Sequence, residues 1–484
     1  MGLIKWLRHN KLSAIMSGFV LIICIALPYL FNFDLNWPVI RLGGDEPHYL
    51  VMADSLVRHH SLDIKQEYQK SEYRSFFPGG LDYHLPPGLF TPESSHWYSF
   101  HSPGLAILVA PFFALARVKG ALFAMSVLSF VLLIEIYVWS TMVTLDKRAA
   151  LFAAAVYGST LSFLTLAGRI FPDIPQAVLT MGALILLVRK RSSVSNLLLG
   201  SLIGVSIWIH MKMGLILFTA GTIALYQEWF KLGRRHVRIV SLVLPWFVLW
   251  LGYEIAIHSW YNVILPSSIY ANAGQLWQLS PTQSIPAMLF DSAKGLFINN
   301  PILLLLLVGL PVWAKRQTTS LALAAMIVLP TVLLQSTFSD WSGGWAPIGR
   351  YITAWLPVFL PALAFVFQEA RHKILALTIT VLSIIELSMA FLYWRLAPSW
   401  PIPGQRSHFF ASLQFHTGLN LDQHMVLFGD GTWAHTTHML SILHPTHYAI
   451  VLLFYSMVVA ALVGYGIKLS HGKASQLKAG VHRH

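Results

Sequence analysis

Four short segments of the chain hold the residue types that acid–base and anion chemistry require. The first is Gly43-Gly44-Asp45-Glu46-Pro47-His48-Tyr49, where two adjacent carboxylates follow a glycine pair and precede a proline suited to the first turn of a helix. A carboxylate in such a turn can act as general base toward an acceptor hydroxyl, or it can simply cap the helix. The second is Gly168-Arg169-Ile170-Phe171-Pro172-Asp173-Ile174-Pro175. Here Asp173 is a further carboxylate or a cap, and Arg169 an anion ligand or an interfacial anchor. In the third, Trp208-Ile209-His210-Met211-Lys212, two ionisable groups interrupt an apolar stretch. Such groups are costly at membrane depth and often functional, although Lys212 can snorkel to the interface. The fourth runs from Asp340 to Tyr351 and gathers Gly343, Gly344, Trp345, Gly349 and Arg350. Its guanidinium can grip a phosphate bidentately, and its glycines let backbone approach a ligand. A tight hairpin with aromatic anchors is the plainer alternative. Taken together, these acids and bases suit a substrate that carries a phosphate and a hydroxyl.

The elements that must position these segments are membrane helices. Hydrophobic residues make up 56% of the chain and charged residues only 11%, against about 25% charged in a soluble domain. The surplus apolar surface needs lipid as its solvent. Apolar runs near the 20 residues that span a bilayer as a helix predict twelve spans, at 13–33, 120–143, 149–167, 174–189, 195–211, 214–230, 238–258, 296–313, 319–337, 352–368, 373–394 and 446–467. The expected fold is therefore all-α, a polytopic transmembrane bundle forming a single domain over 1–484. The basic start before the first run reads as the flank of an uncleaved helix.

Lys and Arg (33) exceed Asp and Glu (20), but they fall in short clusters between the runs: Lys147 and Arg148, Arg189 to Arg191, Lys231 to Arg238, Lys315 and Arg316, Arg371 and Lys373, and the tail 468–484. With the N-terminus inside, every cluster lands in the cytoplasm, as positively charged inner loops require. This distribution marks topology and excludes a nucleic-acid partner. Residues 103–118 are apolar but short and carry Pro103 and Pro111, so they are expected to lie along the outer interface or enter it partway, an ordinary spanning helix being the alternative. The outer side then holds three long loops, 34–119, 259–295 and 395–445, and all four chemical segments. The lone Cys24 allows no internal disulfide. The pairs His59 and His60, His435 and His438, and His444 and His447 are expected by chance among 21 histidines, and no metal site is assigned to them.

The GDEPHYL, FPDIP and DWSGGWAPIGRY motifs resemble those of polytopic glycosyltransferases of the GT-C fold, of the protein O-mannosyltransferase and lipid A aminoarabinose transferase types, over roughly residues 35–370. The His-Ser-Pro-Gly segment at 101–104 and Asn299-Asn300-Pro301 are similar as well. The resemblance implies an enzyme that takes a hexosyl or pentosyl group from a polyprenyl-phosphate donor among the membrane lipids and passes it to a glycan, lipid or protein acceptor at the outer face. It implies Asp45 as catalytic base, Glu46 in support, Asp173 close by, and Arg350, Lys212, Arg169 and His210 around the donor phosphate. His48, Tyr49, His101, Trp345 and Tyr351 fall within the same motifs and are expected to line the substrate cavity. No cofactor is required; a divalent metal is allowed but not demanded. The expected location is a bacterial inner (plasma) membrane with the site on the periplasmic or outer face. No large soluble C-terminal domain is read, so the family does not transfer an acceptor.

The competing reading is a polytopic transporter or lipid-linked glycan flippase, for which Glu135, Glu254 and Glu386 inside the spans would mark a pathway. The two halves show no repeat. A membrane glycan polymerase is a further alternative and would need a large outer loop with paired arginines.

Overall fold

The computed structural model describes residues 42–396 and 445–481, except 87, 92, 212–213, 232–235, 265–268, 270–280, 292–293, 339–342, 344–346 and 371–372. The predicted first span and nearly all of the third outer loop lie outside the described residues. Helices occupy every remaining predicted run, and the described residues contain no β-strand. The fold is all-α.

Among the described residues, five segments are long and apolar enough to cross a membrane: Gly104–Thr144, His236–Tyr261, Thr318–Gln335, Lys373–Ala390 and Leu452–His471. Apart from Gly104–Thr144, which is half buried, most of each apolar window lacks protein cover. Val240, Leu244, Phe247, Leu251 and Ile255 form one exposed stripe at helical spacing, and Ile374, Leu377, Val381, Ile384 and Leu387 form another. A stripe of that length in water would be strongly unfavourable, so the chain is an integral membrane protein. Helices meet where side chains are small. A Cβ on Gly309 would lie 2.1 Å from the Ala362 carbonyl oxygen, and one on Gly200 would lie 2.1 Å from that of Leu242. Such close backbone approach is how helices pack without a hydrophobic drive between them.

Several predicted runs are broken helices. The 149–167 run is two helices, Lys147–Gly158 and Leu161–Leu166, with Thr160 capping the second through its side chain. The 296–313 run is likewise divided, into Leu296–Asn299, a 3₁₀ turn at Pro301–Leu304, and Leu305–Arg316. Both breaks free backbone N–H groups, and Glu386 takes them up: its carboxylate accepts from Leu161 N at 3.1 Å and Ile302 N at 3.4 Å. An unmet buried N–H costs about 1–3 kcal/mol. Glu386 is thus a fixed partner of two helix ends, not a group facing a pathway.

The segment predicted to lie along the interface joins the span that follows it. Gly104–Thr144 is interrupted at Ala116 and Arg117, where the backbone leaves the helical region. Arg117 adopts φ 51°, a conformation costly for a residue with a Cβ. Two contacts hold it: its guanidinium lies 2.6 Å from the fully buried Asp54 and 2.9 Å from Ser75 Oγ. Asp54 belongs to the helix Glu46–His59, so this ion pair ties that helix to the kink. At the other end of the bundle, buried Glu228 gathers Arg191 at 3.3 Å, Arg238 at 2.9 Å and Asn196 at 2.9 Å. Residues of the predicted inner basic clusters therefore also join helix ends.

Candidate functional site

Three turns far apart in sequence deliver one cluster. Asp45 precedes the helix Glu46–His59 at its cap position, yet its side chain makes no capping bond. Asp173 opens the helix Asp173–Val188 and likewise caps nothing, since Pro172 holds that position. Both carboxylates turn instead to Arg350, the first residue of the short helix Arg350–Thr353. Arg350 Nη2 lies 2.7 Å from Asp45 Oδ2, Nε lies 3.1 Å from Asp173 Oδ2, and Nη1 donates to the Gly343 carbonyl at 3.2 Å. The planar fork of arginine allows these contacts at once. The guanidinium also sits over the Phe171 ring at 4.7 Å and the Tyr351 ring at 5.3 Å, a favourable placement for a cation.

Two glycines make this placement sterically available. Gly349 (φ 66°) precedes Arg350, and a Cβ there would lie 2.6 Å from Ser162 Oγ. Gly343 (φ 78°) lies under the arginine, and a Cβ there would lie 3.1 Å from Arg350 Cδ. A side chain at either position would meet both a strained backbone and an occupied space.

Glu46 does different work. It is fully buried; Oε2 accepts from Gly43 N at 3.1 Å and Oε1 from Ile170 N at 3.0 Å, and Arg169 lies 3.5 Å away. It thereby ties the turn carrying Asp45 to the turn carrying Asp173. Burial pushes the Glu46 carboxyl up, against the pull of Arg169 and the two N–H donors. Arg169, predicted at the donor phosphate, lies 3.5 Å from Glu46. His210 ends the helix Ser193–Ile209, its carbonyl accepting from Gln176 at 3.3 Å, and its ring is 6.4 Å from that of Tyr351. Lys212 and Trp345 lie outside the described residues.

On its other side Asp45 faces a histidine cluster. His48 and His101 come from predicted motifs; His84 and Asp82 do not, and join them from the outer loop. His84 Nδ1 is 2.9 Å from His101 Nε2, and the His48 and His84 rings stack at 3.4 Å. Asp82 lies 3.4 Å from His48 Nε2 and 3.0 Å from His84 Nε2. Tyr49 packs on His101 at 4.8 Å. Two groupings bring their donor atoms within 4.8 Å of one another, Asp45 with His84 and His101, and His48 with Asp82 and His84. The sequence signal for the missed pair was Asp82-Tyr83-His84 alone, in a loop without periodicity.

The electrostatics set a specific chemical state. Partial burial works to raise the Asp45 carboxyl, but Arg350 and then the neighbouring histidines outweigh it and hold it well below the usual carboxylate range. Burial pushes His84 down to about 4 and His101 well below its ordinary value. At neutral pH the site therefore holds an ionised Asp45 beside neutral imidazoles at His84 and His101. A carboxylate paired so closely is a poor base. It becomes a better one when its guanidinium turns to another anion. Arg350 has five N–H donors, of which the three contacts above use three, leaving capacity for such an anion.

No protein-family model matches the chain, and no curated protein matches it. Among solved structures it is similar to the oligosaccharyltransferase of Archaeoglobus fulgidus in the apo form, at 13% identity and TM-score 0.38, over 84% of this chain and 59% of that one. It is similar to the archaeal oligosaccharyltransferase AglB from Archaeoglobus fulgidus in complex with an inhibitory peptide and a dolichol-phosphate, at 12% identity and TM-score 0.39, over 93% and 56%. ArnT from Cupriavidus metallidurans bound to undecaprenyl phosphate is similar at 12% identity and TM-score 0.45, over 95% and 75%. The chain spans little more than half the length of the two archaeal structures. Likeness at this level concerns the course of the helices and says nothing of activity.

Proposed function

We propose that the chain is a polyprenyl-phosphate-sugar-dependent glycosyltransferase of a bacterial inner membrane, moving a hexosyl or pentosyl group to an acceptor at the periplasmic face, with Asp45 as general base. The observation that carries this reading is the sharing of Arg350 between Asp45 and Asp173, at 2.7 and 3.1 Å, by turns far apart in sequence. A cation placed between two acids from different turns can pass from them to an incoming phosphate, and doing so frees a base. In the proposed step, Asp45 takes the proton of the acceptor hydroxyl while the acceptor oxygen bonds to the anomeric carbon. The bond from that carbon to the phosphate oxygen breaks, and polyprenyl phosphate leaves as an anion. Arg350 stabilises the developing charge. Asp173 keeps Arg350 in register, and Glu46 holds the two acidic turns together. His210, whose ring is 6.4 Å from that of Tyr351, lies near the same cation and is proposed to face the donor phosphate with it.

Purified protein with a radiolabelled polyprenyl-phosphate sugar tests this. Asp45→Asn should lower transfer by about 10²–10⁴-fold while donor binding persists. Arg350→Lys should weaken donor binding, because one ammonium cannot reproduce the fork. A loss under tenfold for Asp45→Asn would return that residue to a structural role. A transporter would move the lipid-linked sugar with its glycosidic bond intact.

A further inference from the structure

The histidines beside Asp45 are arranged for more than packing. His48 and His84 both direct Nε2 toward Asp82, at 3.4 and 3.0 Å. A tetrahedral zinc site with ligand bonds near 2.0–2.1 Å places its donor atoms about 3.3 Å apart; the two nitrogen–carboxylate distances match this, and all three donor atoms lie within 4.8 Å of one another. We infer that His48 Nε2, His84 Nε2 and the Asp82 carboxylate form a binding site for a divalent transition metal of the zinc class. This inference does not depend on the transferase reading.

The surroundings of the two rings support it. A histidine that binds metal through one nitrogen donates the other N–H to a nearby acceptor, which fixes its tautomer. His48 Nδ1 has the Tyr68 hydroxyl at 3.1 Å, and His84 Nδ1 has His101 Nε2 at 2.9 Å. With both Nδ1 atoms protonated toward these partners, both Nε2 lone pairs face the Asp82 carboxylate. Lone pairs and a carboxylate repel one another unless a cation lies between them. The other tautomer, with Nε2–H donating to Asp82, needs no metal and is the arrangement the experiment must separate from this one.

The neighbouring grouping of Asp45, His84 and His101 fits a cation less well. Asp45 is already held by Arg350 at 2.7 Å, and a divalent ion there would face the guanidinium. Asp82 has no arginine or lysine on it among the described residues. Its side chain is 74% exposed, and it opens with His84 on a cleft of about 370 Å³ that also presents Tyr83, Phe90, Trp97 and Phe100. That cleft supplies an entry path and a fourth position for water. Two nitrogens and one carboxylate suit zinc better than magnesium or calcium, which prefer oxygen sets. The rings stack within 9° of parallel, so binding must tilt them until both lone pairs converge. His84 lies in a loop, which permits the movement.

The test uses the full chain in detergent, stripped with chelator and then titrated with zinc and with cobalt. One equivalent of zinc should bind per chain, and cobalt should give the visible absorption of a four-coordinate site. Asp82→Asn and His84→Gln should each lower zinc affinity by at least tenfold. Asp82 is exposed, so that variant should fold like the parent. Tyr68→Phe should weaken binding about 10–100-fold by removing the partner of His48 Nδ1. His59→Gln, at the separate grouping of His59, Glu67 and Glu72, should leave the affinity unchanged. Binding of less than a tenth of an equivalent at 100-fold excess zinc would overturn the inference. So would zinc affinity unchanged in Asp82→Asn and His84→Gln, or lost only in His59→Gln.

Discussion

Removal of Arg350 probes the centre of the site more directly than removal of any acid. Its guanidinium is 5% exposed and faces two carboxylates and a carbonyl. Arg350→Ala leaves Asp45 and Asp173 side by side without their shared cation. Breaking a buried pair from one side costs about 3–5 kcal/mol, because a charge remains without compensation. The sign with pH follows from the same geometry. In the parent, Asp45 is held below its ordinary value, so its pairing contributes stability above that value, lost as pH falls through the lowered one. In the variant the burial that raises the carboxyl is unopposed by Arg350, so ionising it costs stability, and the loss grows as pH rises from 5 to 8. Thermal unfolding of the purified protein, followed by size-exclusion chromatography after heating, measures this. Arg350→Ala should unfold at lower temperature, with a deficit larger at pH 8 than at pH 5. Arg350→Ala combined with Asp173→Asn should recover part of the loss, because one unpaired charge has gone. Equal unfolding of parent and Arg350→Ala at both pH values would refute the argument, as would a double variant weaker than the single one.

Burial, with Asp54 and Glu72 adding to it, pushes the Glu67 carboxyl from 4.5 up to about 8. A raised acid binds its proton more tightly in the folded state, so stability should fall as pH rises from about 4.5 to 8 by up to about 1.4 kcal/mol per pH unit; Glu67→Gln should flatten that slope, and an unchanged slope would assign it elsewhere. Glu46→Gln keeps the size of the side chain but weakens its pull on Arg169 and Ile170, and should lower stability by about 1–3 kcal/mol with reduced transfer, read by heating and by the donor assay. Leu145→Cys, between the Gly104–Thr144 and Lys147–Gly158 helices, should be labelled by a membrane-impermeant thiol reagent only from the cytoplasmic side, in a background with Cys24 replaced by serine; labelling from outside alone would invert the topology.

How much of this was legible depends on what kind of signal each residue carries. Apolar runs of near-spanning length are a strong signal, and helices stand at every run within the described residues. The breaks inside them are a weaker one. Asn300-Pro301 is a visible interruption, but nothing near Leu161 announces that Glu386, 225 residues away, will accept its backbone N–H. The kink at Arg117 was invisible for the same reason: its left-handed backbone is held by Asp54, a contact spanning 63 residues. Local sequence sets where a helix starts, whereas long-range ion pairs decide where it bends.

The same division holds at the site. Asp45, Asp173 and Arg350 stood out because each sits in a turn dense in glycine, proline or aromatic residues beside an apolar run, and the structure brings the three together. Their cap positions, taken one at a time, admitted a purely structural explanation. Only the arginine from a third turn distinguishes the two, because a carboxylate engaged by Arg350 is not capping. Asp82 and His84 lacked any such setting. They lie in a loop where side-chain direction follows no period, and their partner His48 is 36 residues before His84 in the sequence. What joins them is the folding of the first outer loop back over the helix Glu46–His59, seen in the bond from Ile64 N to the Trp97 carbonyl and in His96 on Asp63. A membrane bundle fixes the ends of its helices, and those ends were readable. The loop that closes over them is fixed by contacts among its own polar and aromatic residues. The chemistry of the cleft therefore belongs to the part of the chain whose geometry periodicity does not reach.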